Sequence, residues 1–310
     1  MKPIYIILII IGILMLLLLL FAFIIFKYSF YLSKRRRLKF NKKCLSLTHT
    51  EIDKEGINWY KEQNFTDVYI NSFDNTKLHA SVLLNPSSTA TIIMFHGYFG
   101  SNYGRASCIV KRILEQRCIN IVFVDQRAFH QSSGHYTTLG YKEKDDVKAW
   151  VDYVNNIVPN LPIIIYGFSL GAASVLLSTY QSLNNVKLVI ADSGFADAYK
   201  EFRYKLKNTI HFDSKLLLDT INFYCKIFGR FNLKKTLVKD SLMNNNIPIL
   251  YIHGTSDDYV PCEDSYINIK NTKSAYYLEI FEEAAHVRSF NKDPKRYIEI
   301  LINHIDEVSK

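Results

Sequence analysis

Three kinds of hydrophobic pattern follow one another along the chain. The first is an unbroken apolar run: Ile4 to Phe26 holds 23 residues without a charge. Wound as a helix at about 1.5 Å per residue, it spans roughly 35 Å, enough to cross a bilayer's hydrocarbon core. The second begins at Asp67, where apolar and polar residues alternate. "DVYINSF" and "KLHASVLL" predict two strands around a turn at Asn75, a hairpin. The third follows Pro86, where short continuous apolar runs alternate with amphipathic stretches. Strands are predicted at "TIIMF", "INIVFV", "PIIIY", "KLVIAD", "IPILYIH" and "SAYYLEI", with helices near 103–117, 141–157, 170–183, 263–270 and 294–308.

Continuous apolar strands set between helices are strands buried on both faces. The expected architecture is therefore α/β: a mostly parallel, doubly wound sheet with an antiparallel entry. Residues 1–43 are expected to form a transmembrane anchor with a basic flank, 44–66 a connecting segment with some helix, and 67–310 the main domain. An insertion at about 195–246 reads as a small helical cap over the C-terminal edge of the sheet, where open α/β sheets bind ligands. Residues 200–239 carry ten Lys/Arg against three Asp/Glu and many aromatics. Such a cap is either an ordinary solvated surface or a face turned to an anionic bilayer.

The formal net charge of +9 changes little in this picture once its location is seen. Residues 1–43 hold nine Lys/Arg and no Asp or Glu, leaving 29 of each sign in the rest of the chain. The excess flanks the apolar run and makes no basic groove, so a nucleic-acid partner is not expected. A cleaved signal peptide is disfavoured, because the run is long and no small-x-small cleavage site follows it. "SKRRRLKFNKK" lies after the run and only Lys2 before it, which places the large C-terminal part in the cytoplasm. Five cysteines, at 44, 108, 118, 225 and 262, form neither a CxxC nor an even set, and they suggest no disulfide framework or zinc site.

The candidate chemistry starts at Gly167-Phe168-Ser169-Leu170-Gly171, a G-x-S-x-G sequence between an apolar strand and an apolar helix. At such a junction the serine occupies a sharp, strained turn that lifts its hydroxyl above the sheet edge. The helix after it turns its free N–H groups toward developing negative charge. An alcohol needs a base. In the order Ser…Asp…His expected of this turn, His286 and His304 come late enough. His304 is spaced into the terminal helix with Ile300, Leu301 and Ile305, whereas His286 falls in the loop "FEEAAHVRSF". The base needs an acid to orient it, and "YIHGTSDDYVP" supplies Asp257 and Asp258, of which Asp257 is preferred. The backbone N–H groups of Tyr98, directly after "TIIMFHG", and of Leu170 are the candidate oxyanion hole. His96 reads as a structural hydrogen-bonding residue.

With these segments in view, residues 67–308 resemble the α/β-hydrolase family. "HGYFGSN", "VFVDQRAFHQSSG", "TLGYKEKDDVKAWVDYV", "GFSLGAASVL", "ADSGFAD", "HGTSDDYVP" and "EEAAHVRSF" carry the likeness. Together they look like a membrane-anchored bacterial branch of serine hydrolases, with cell-surface hydrolases and cinnamoyl-type esterases as relatives. The resemblance implies a Ser169–His286–Asp257 triad, an acyl-enzyme intermediate and no cofactor. Where relatives usually carry His-Gly, this chain has Phe129-His130, which alters the local shape near the entrance. The cell-surface naming of relatives also conflicts with the charge rule, and here the charge rule carries the expectation.

The expected activity is a membrane-anchored serine hydrolase, first of all a carboxylic ester hydrolase, acting on a small-molecule or lipid-like acyl substrate. Acyl transfer or peptide cleavage would use the same machinery. A non-catalytic membrane-anchored scaffold is the reading from another class. Dehalogenase and epoxide-hydrolase chemistry is disfavoured, since those branches need a carboxylate where Ser169 stands.

Overall fold

The computed structural model describes residues 3–33, 35–37, 39 and 50–310. Lys2, Lys34, Lys42, Lys43 and Cys44, with the first part of the connecting segment, lie outside the described residues. The chain opens with α1 (Pro3–Phe30) and α2 (Glu51–Glu62), then the hairpin β1 (Thr66–Asn71) and β2 (Lys77–Leu83). Asn75 takes a left-handed φ of 59° in the turn between them. An asparagine tolerates that conformation because its short amide bonds locally. There follow β3 (Thr91–Phe95), α3 (Arg105–Leu114), β4 (Asn120–Asp125), α4 (Glu143–Ile157), β5 (Ile163–Phe168), α5 (Leu170–Ser178) and β6 (Val186–Asp192). Next come α6 (Ala198–Ile210), α7 (Lys215–Tyr224) with a π-helical turn at Cys225–Gly229, and α8 (Val238–Leu242). The chain ends with β7 (Ile249–Gly254), α9 (Glu263–Asn271), β8 (Tyr276–Phe281), α10 (Ser289–Lys292) and α11 (Pro294–Val308).

The eight strands form one sheet in the order β1-β2-β4-β3-β5-β6-β7-β8. β1 and β2 pair antiparallel, β2 joins β4 antiparallel, and every later pairing is parallel. Side chains alternate between two buried layers, as a strand's period of two requires. Ile92, Met94, Ile164 and Tyr166 pack with α3 and α11 on one face. Ile93, Phe95, Ile163 and Ile165 pack with α4 and α5 on the other. Because the central strands run parallel, the loops after β3, β5, β6, β7 and β8 emerge at one edge.

A third apolar cluster lies above that edge. Phe202 and Leu206 of α6, Leu217, Leu218 and Ile221 of α7, and Phe231 enclose Ala22, Phe26 and Phe30 of α1. Only the end of α1 is buried in this way: Ile4 to Leu17 stand outside the domain with their side chains exposed. The helix is long and apolar enough to cross a membrane. The four described cysteines, 108, 118, 225 and 262, are free thiols.

Candidate active site

Ser169 sits between β5 and α5 with φ 53° and ψ −113°, a conformation that costs a non-glycine residue about 1–3 kcal/mol. The surroundings hold it there. Its N–H donates to the Asp192 carbonyl (2.8 Å) and its carbonyl accepts from Ala173 N–H (2.9 Å). Two residues on, a Cβ on Gly171 would overlap the Phe95 carbonyl oxygen, so only glycine lets α5 rise this close to β3. On the other side, a Cβ on Gly97 would lie 3.2 Å from the Ser169 Cβ, which puts the loop after β3 against the serine.

His286, in the loop between β8 and α10, accepts the Ser169 hydroxyl at Nε2 over 2.9 Å. Its Nδ1 donates to Asp257 Oδ2 at 2.7 Å. A carboxylate only accepts, so the proton of the neutral ring belongs on Nδ1, leaving Nε2 as the base that faces the hydroxyl. Asp257, in the loop after β7, is the hub of a wider net. Its Oδ1 accepts from Tyr259 N–H and Val260 N–H, both at 2.9 Å. His253 Nε2 donates to its Oδ2 over 3.2 Å, while His253 Nδ1 accepts from Ser265 over 2.7 Å. Burial works against the charge on Asp257, but the bonds from His253 and His286 and the backbone bond from Val260 outweigh it and hold the carboxyl below its ordinary range. Asp258 is exposed, and its side chain takes no part.

The Tyr259 ring stacks on the His286 imidazole at 4.8 Å between centroids and 24° between planes. The Lys205 ammonium of α6 lies over the same Tyr259 ring. One turn earlier, burial pushes the Glu201 carboxyl up, and its Oε2 has no partner among the described residues. The cap thus reaches the base through one aromatic ring.

The serine opens onto a cavity of about 500 Å³. Gly97, Tyr98 and Phe99 line it from one loop, His286 to Arg288 from another, and Asp53 and Ile57 of α2 close one side. Leu170 is the first residue of α5, so its N–H has no acceptor within the helix. Tyr98, the other residue of the expected oxyanion hole, lies in the cavity wall, and its phenol donates to the Ser29 carbonyl of α1.

His96 serves the loop structurally. Its Nδ1 meets the Gly97 carbonyl at 2.8 Å and its Nε2 accepts from Gln126 N–H at 3.1 Å. Burial, then the neighbouring His130, lowers its pKa to about 4. His96, Asp125 and His130 are a buried trio with a metal-ligand composition. Each is already engaged: His130 Nε2 with the Gly100 carbonyl (2.9 Å) and Asp125 with His79 (2.7 Å) and Gln131 N–H (3.1 Å). The trio ties β4 to the loop after β3. Phe129 packs edge-on against His96, Tyr98 and Phe99, so the Phe129-His130 departure shapes the back of the cavity wall. His304 lies on α11 beside Glu307 and Tyr277, away from this edge.

No protein-family model matches the sequence. The Bacillus subtilis protein YqkD, itself uncharacterized, is 27% identical over 192 residues, covering 61% of this chain and 63% of its own. The match therefore spans less than two thirds of that relative's length. Among solved structures, the Pyrococcus furiosus esterase Pf2001 superimposes with a TM-score of 0.63 at 24% identity, covering 79% of this chain and 92% of its own. Est1E from Butyrivibrio proteoclasticus, with ferulic acid bound, superimposes at 0.60 with 20% identity, covering 77% and 98%. These likenesses establish the architecture.

Proposed function

The chain has the α/β-hydrolase fold, and from that premise we propose that it is a serine hydrolase of carboxylic esters. The observation that carries this reading is the hydrogen-bonded line from Ser169 Oγ through His286 to Asp257, opening on the cavity. Ser169 Oγ attacks the acyl carbonyl carbon while His286 Nε2 takes its proton. Asp257, kept ionised by its four donors, stabilises the imidazolium. The N–H groups of Leu170 and Tyr98 receive the oxyanion, each such donor contributing about 3 kcal/mol to the transition state. The tetrahedral intermediate collapses, the leaving alkoxide takes the proton back from His286, and the acyl group stays on Ser169. Water, deprotonated by the same imidazole, then releases the acid. A panel of nitrophenyl esters of increasing acyl length tests this. A stoichiometric burst of nitrophenolate that disappears in Ser169→Ala is expected. Equal turnover by both proteins removes the reading.

We also propose that α1 anchors the domain to a membrane and holds the cap against its surface. Pro3 to Phe21 precedes the first buried side chain, Ala22. At about 1.5 Å per residue those residues run roughly 28 Å, close to one hydrocarbon thickness. α1 first meets the cap a little before that height, at Leu18 and at Leu19, whose carbonyl accepts from the Tyr224 hydroxyl; Phe223, Ile227 and Phe228 remain exposed there, and Phe23 packs on Tyr224 and Phe228. Losing α1 to cleavage would uncover the pocket that holds Phe26 and Phe30. By the excess of positive charge after α1, the domain lies on the cytoplasmic side. Proteolysis of vesicles of known sidedness tests the orientation, with protection of the domain expected in right-side-out vesicles.

A further inference from the structure

The cavity beside Ser169 carries charge that the hydrolytic machinery does not use. Two guanidiniums, Arg105 at the start of α3 and Arg288 two residues after His286, line it together with one carboxylate, Asp53 of α2. The side chains keep 16%, 33% and 13% of their surface exposed, respectively. Asp53 does not neutralise the pair. It stands 3.9 Å from Arg105 Nη2 and 3.7 Å from Arg288 Nη1, beyond hydrogen-bond reach, and its Oδ2 already accepts the Thr50 hydroxyl at 2.9 Å. Arg105 spends one donor on the Val287 carbonyl. The Arg288 side chain donates a hydrogen bond to no described residue, and Arg105 Nε and Arg288 Nη1 are buried without a hydrogen-bond partner. Burial, and then the charge of Arg288, hold Arg105 below its ordinary range. A guanidinium keeps its proton even so; two cationic groups and one carboxylate line this part of the wall, with the buried Asp192 acting on Arg105 from behind the lining.

The backbone between these groups is strained. Val287 has a φ of 53°, a conformation rare for any residue with a side chain and an outlier for a β-branched one. The strained residue joins the candidate base to Arg288 and gives its carbonyl to Arg105. Strain of this kind persists where the surroundings over-determine it, and it gathers at binding sites.

We infer that Arg105 and Arg288 form a carboxylate-binding subsite of the cavity, so that the preferred ester carries a second, free carboxylate, as a half-ester of a dicarboxylic acid does. Two guanidiniums face the cavity against one lining carboxylate and keep donors unbonded, and the planar fork of a guanidinium fits a carboxylate's two oxygens. The inference rests on the ester-hydrolase reading for its substrate and on the guanidinium pair for its charge.

The experiment uses the full-length chain in nanodiscs. Mono-nitrophenyl esters of dicarboxylic acids from succinate to suberate are compared with their methyl-capped, neutral counterparts. At the best length the charged ester should have a kcat/KM about tenfold to a hundredfold higher than its neutral partner, the range typical of charge-assisted hydrogen bonds. Arg288→Gln should collapse that ratio toward one, Arg288→Lys should restore part of it, and rising salt should shrink it. Equal rates on both esters at every length, or a ratio that survives Arg288→Gln, would overturn the inference. A calorimetric titration of Ser169→Ala with monomethyl glutarate separates this outcome from failure of the hydrolase reading. Binding to Ser169→Ala that requires Arg288, when the chain with Ser169 intact cleaves neither ester, would sink the hydrolase and keep the subsite. Inorganic phosphate binding more tightly than the half-ester would overturn the carboxylate assignment.

Discussion

Replacing Asp257 by Asn removes one charge and almost no volume, and the structure says where the loss should fall. Four donors converge on this carboxylate: two backbone N–H groups on Oδ1 and two imidazoles on Oδ2. An amide has one acceptor oxygen. If that oxygen stays with Tyr259 and Val260 N–H, its NH₂ faces His253 and His286. His286 must then accept at Nδ1 and carry its proton on Nε2, the atom that should take the proton from Ser169. The wrong tautomer costs about a thousand- to ten-thousand-fold in kcat, or about 4–5.5 kcal/mol. Substrate binding should change little, since Asp257 does not line the cavity. Stability should fall as well, by about 1–3 kcal/mol at pH 7, as donors lose a buried acceptor. The sign with pH follows from the lowered pKa. The carboxylate's contribution is present above its ordinary value of 3.8 and is lost as pH falls through the lower folded-state value. The deficit of the variant in urea melts should therefore shrink on acidification. Steady-state kinetics on a nitrophenyl ester, with Asp258→Asn beside it, provides the test. Asp258 is exposed and should give near wild-type rates. A kcat for Asp257→Asn within tenfold of wild type, or an equal loss in Asp258→Asn, would refute the reasoning.

Two further outcomes follow from packing and charge elsewhere. Gly171→Ala forces a Cβ onto the Phe95 carbonyl oxygen and should destabilise the fold by about 2 kcal/mol or more; an unchanged denaturation midpoint would contradict the close approach of α5 to β3. His79 is buried between Asp125 (2.7 Å) and Asp67 (3.0 Å), and although burial favours its neutral form, the two carboxylates raise its pKa. Its stabilisation is complete below the ordinary value of 6.5 and is lost as pH climbs through the raised folded-state value, so His79→Gln should cost about 1–2 kcal/mol at pH 5.5 and clearly less at pH 9 in paired melts.

The centre of the sheet was legible because β3, β4, β5 and β7 are buried on both faces. "TIIMF" corresponds residue for residue to β3, and the terminal helix spans 294–308 as expected. The side chains at 169, 257 and 286 each follow a strand of the sheet, and parallel strands bring such positions to one edge, where the three are hydrogen-bonded together. The wall of the cavity was not legible. That Asp53 and Ile57 enter the cavity has no sign in the sequence; residues 51–62 lie in the segment expected to connect with some helix, and they form α2. Its signal was local: Thr50 caps the helix by accepting from Asp53 N–H, a Thr-x-x-Asp start that precedes no strong apolar stripe. Arg105 and Arg288 are far apart in sequence, and nothing in either segment marks them as neighbours. The apolar run is expected to span a membrane, and its last residue Phe26, with Phe30 one turn on, also turns into the cap. His253, near the end of β7, has no role in the sequence reading, although only three residues separate it from Asp257, whose carboxylate it shares with His286.

The most direct measurement is the site and rate of covalent capture by a serine-directed fluorophosphonate, followed by peptide mass spectrometry. A reactive hydroxyl activated by His286 predicts one adduct, on the peptide that holds Ser169, lost in Ser169→Ala and slowed at least a hundredfold in His286→Ala. No adduct on the folded protein, or labelling that persists at full rate without His286, would contradict an activated serine at this site.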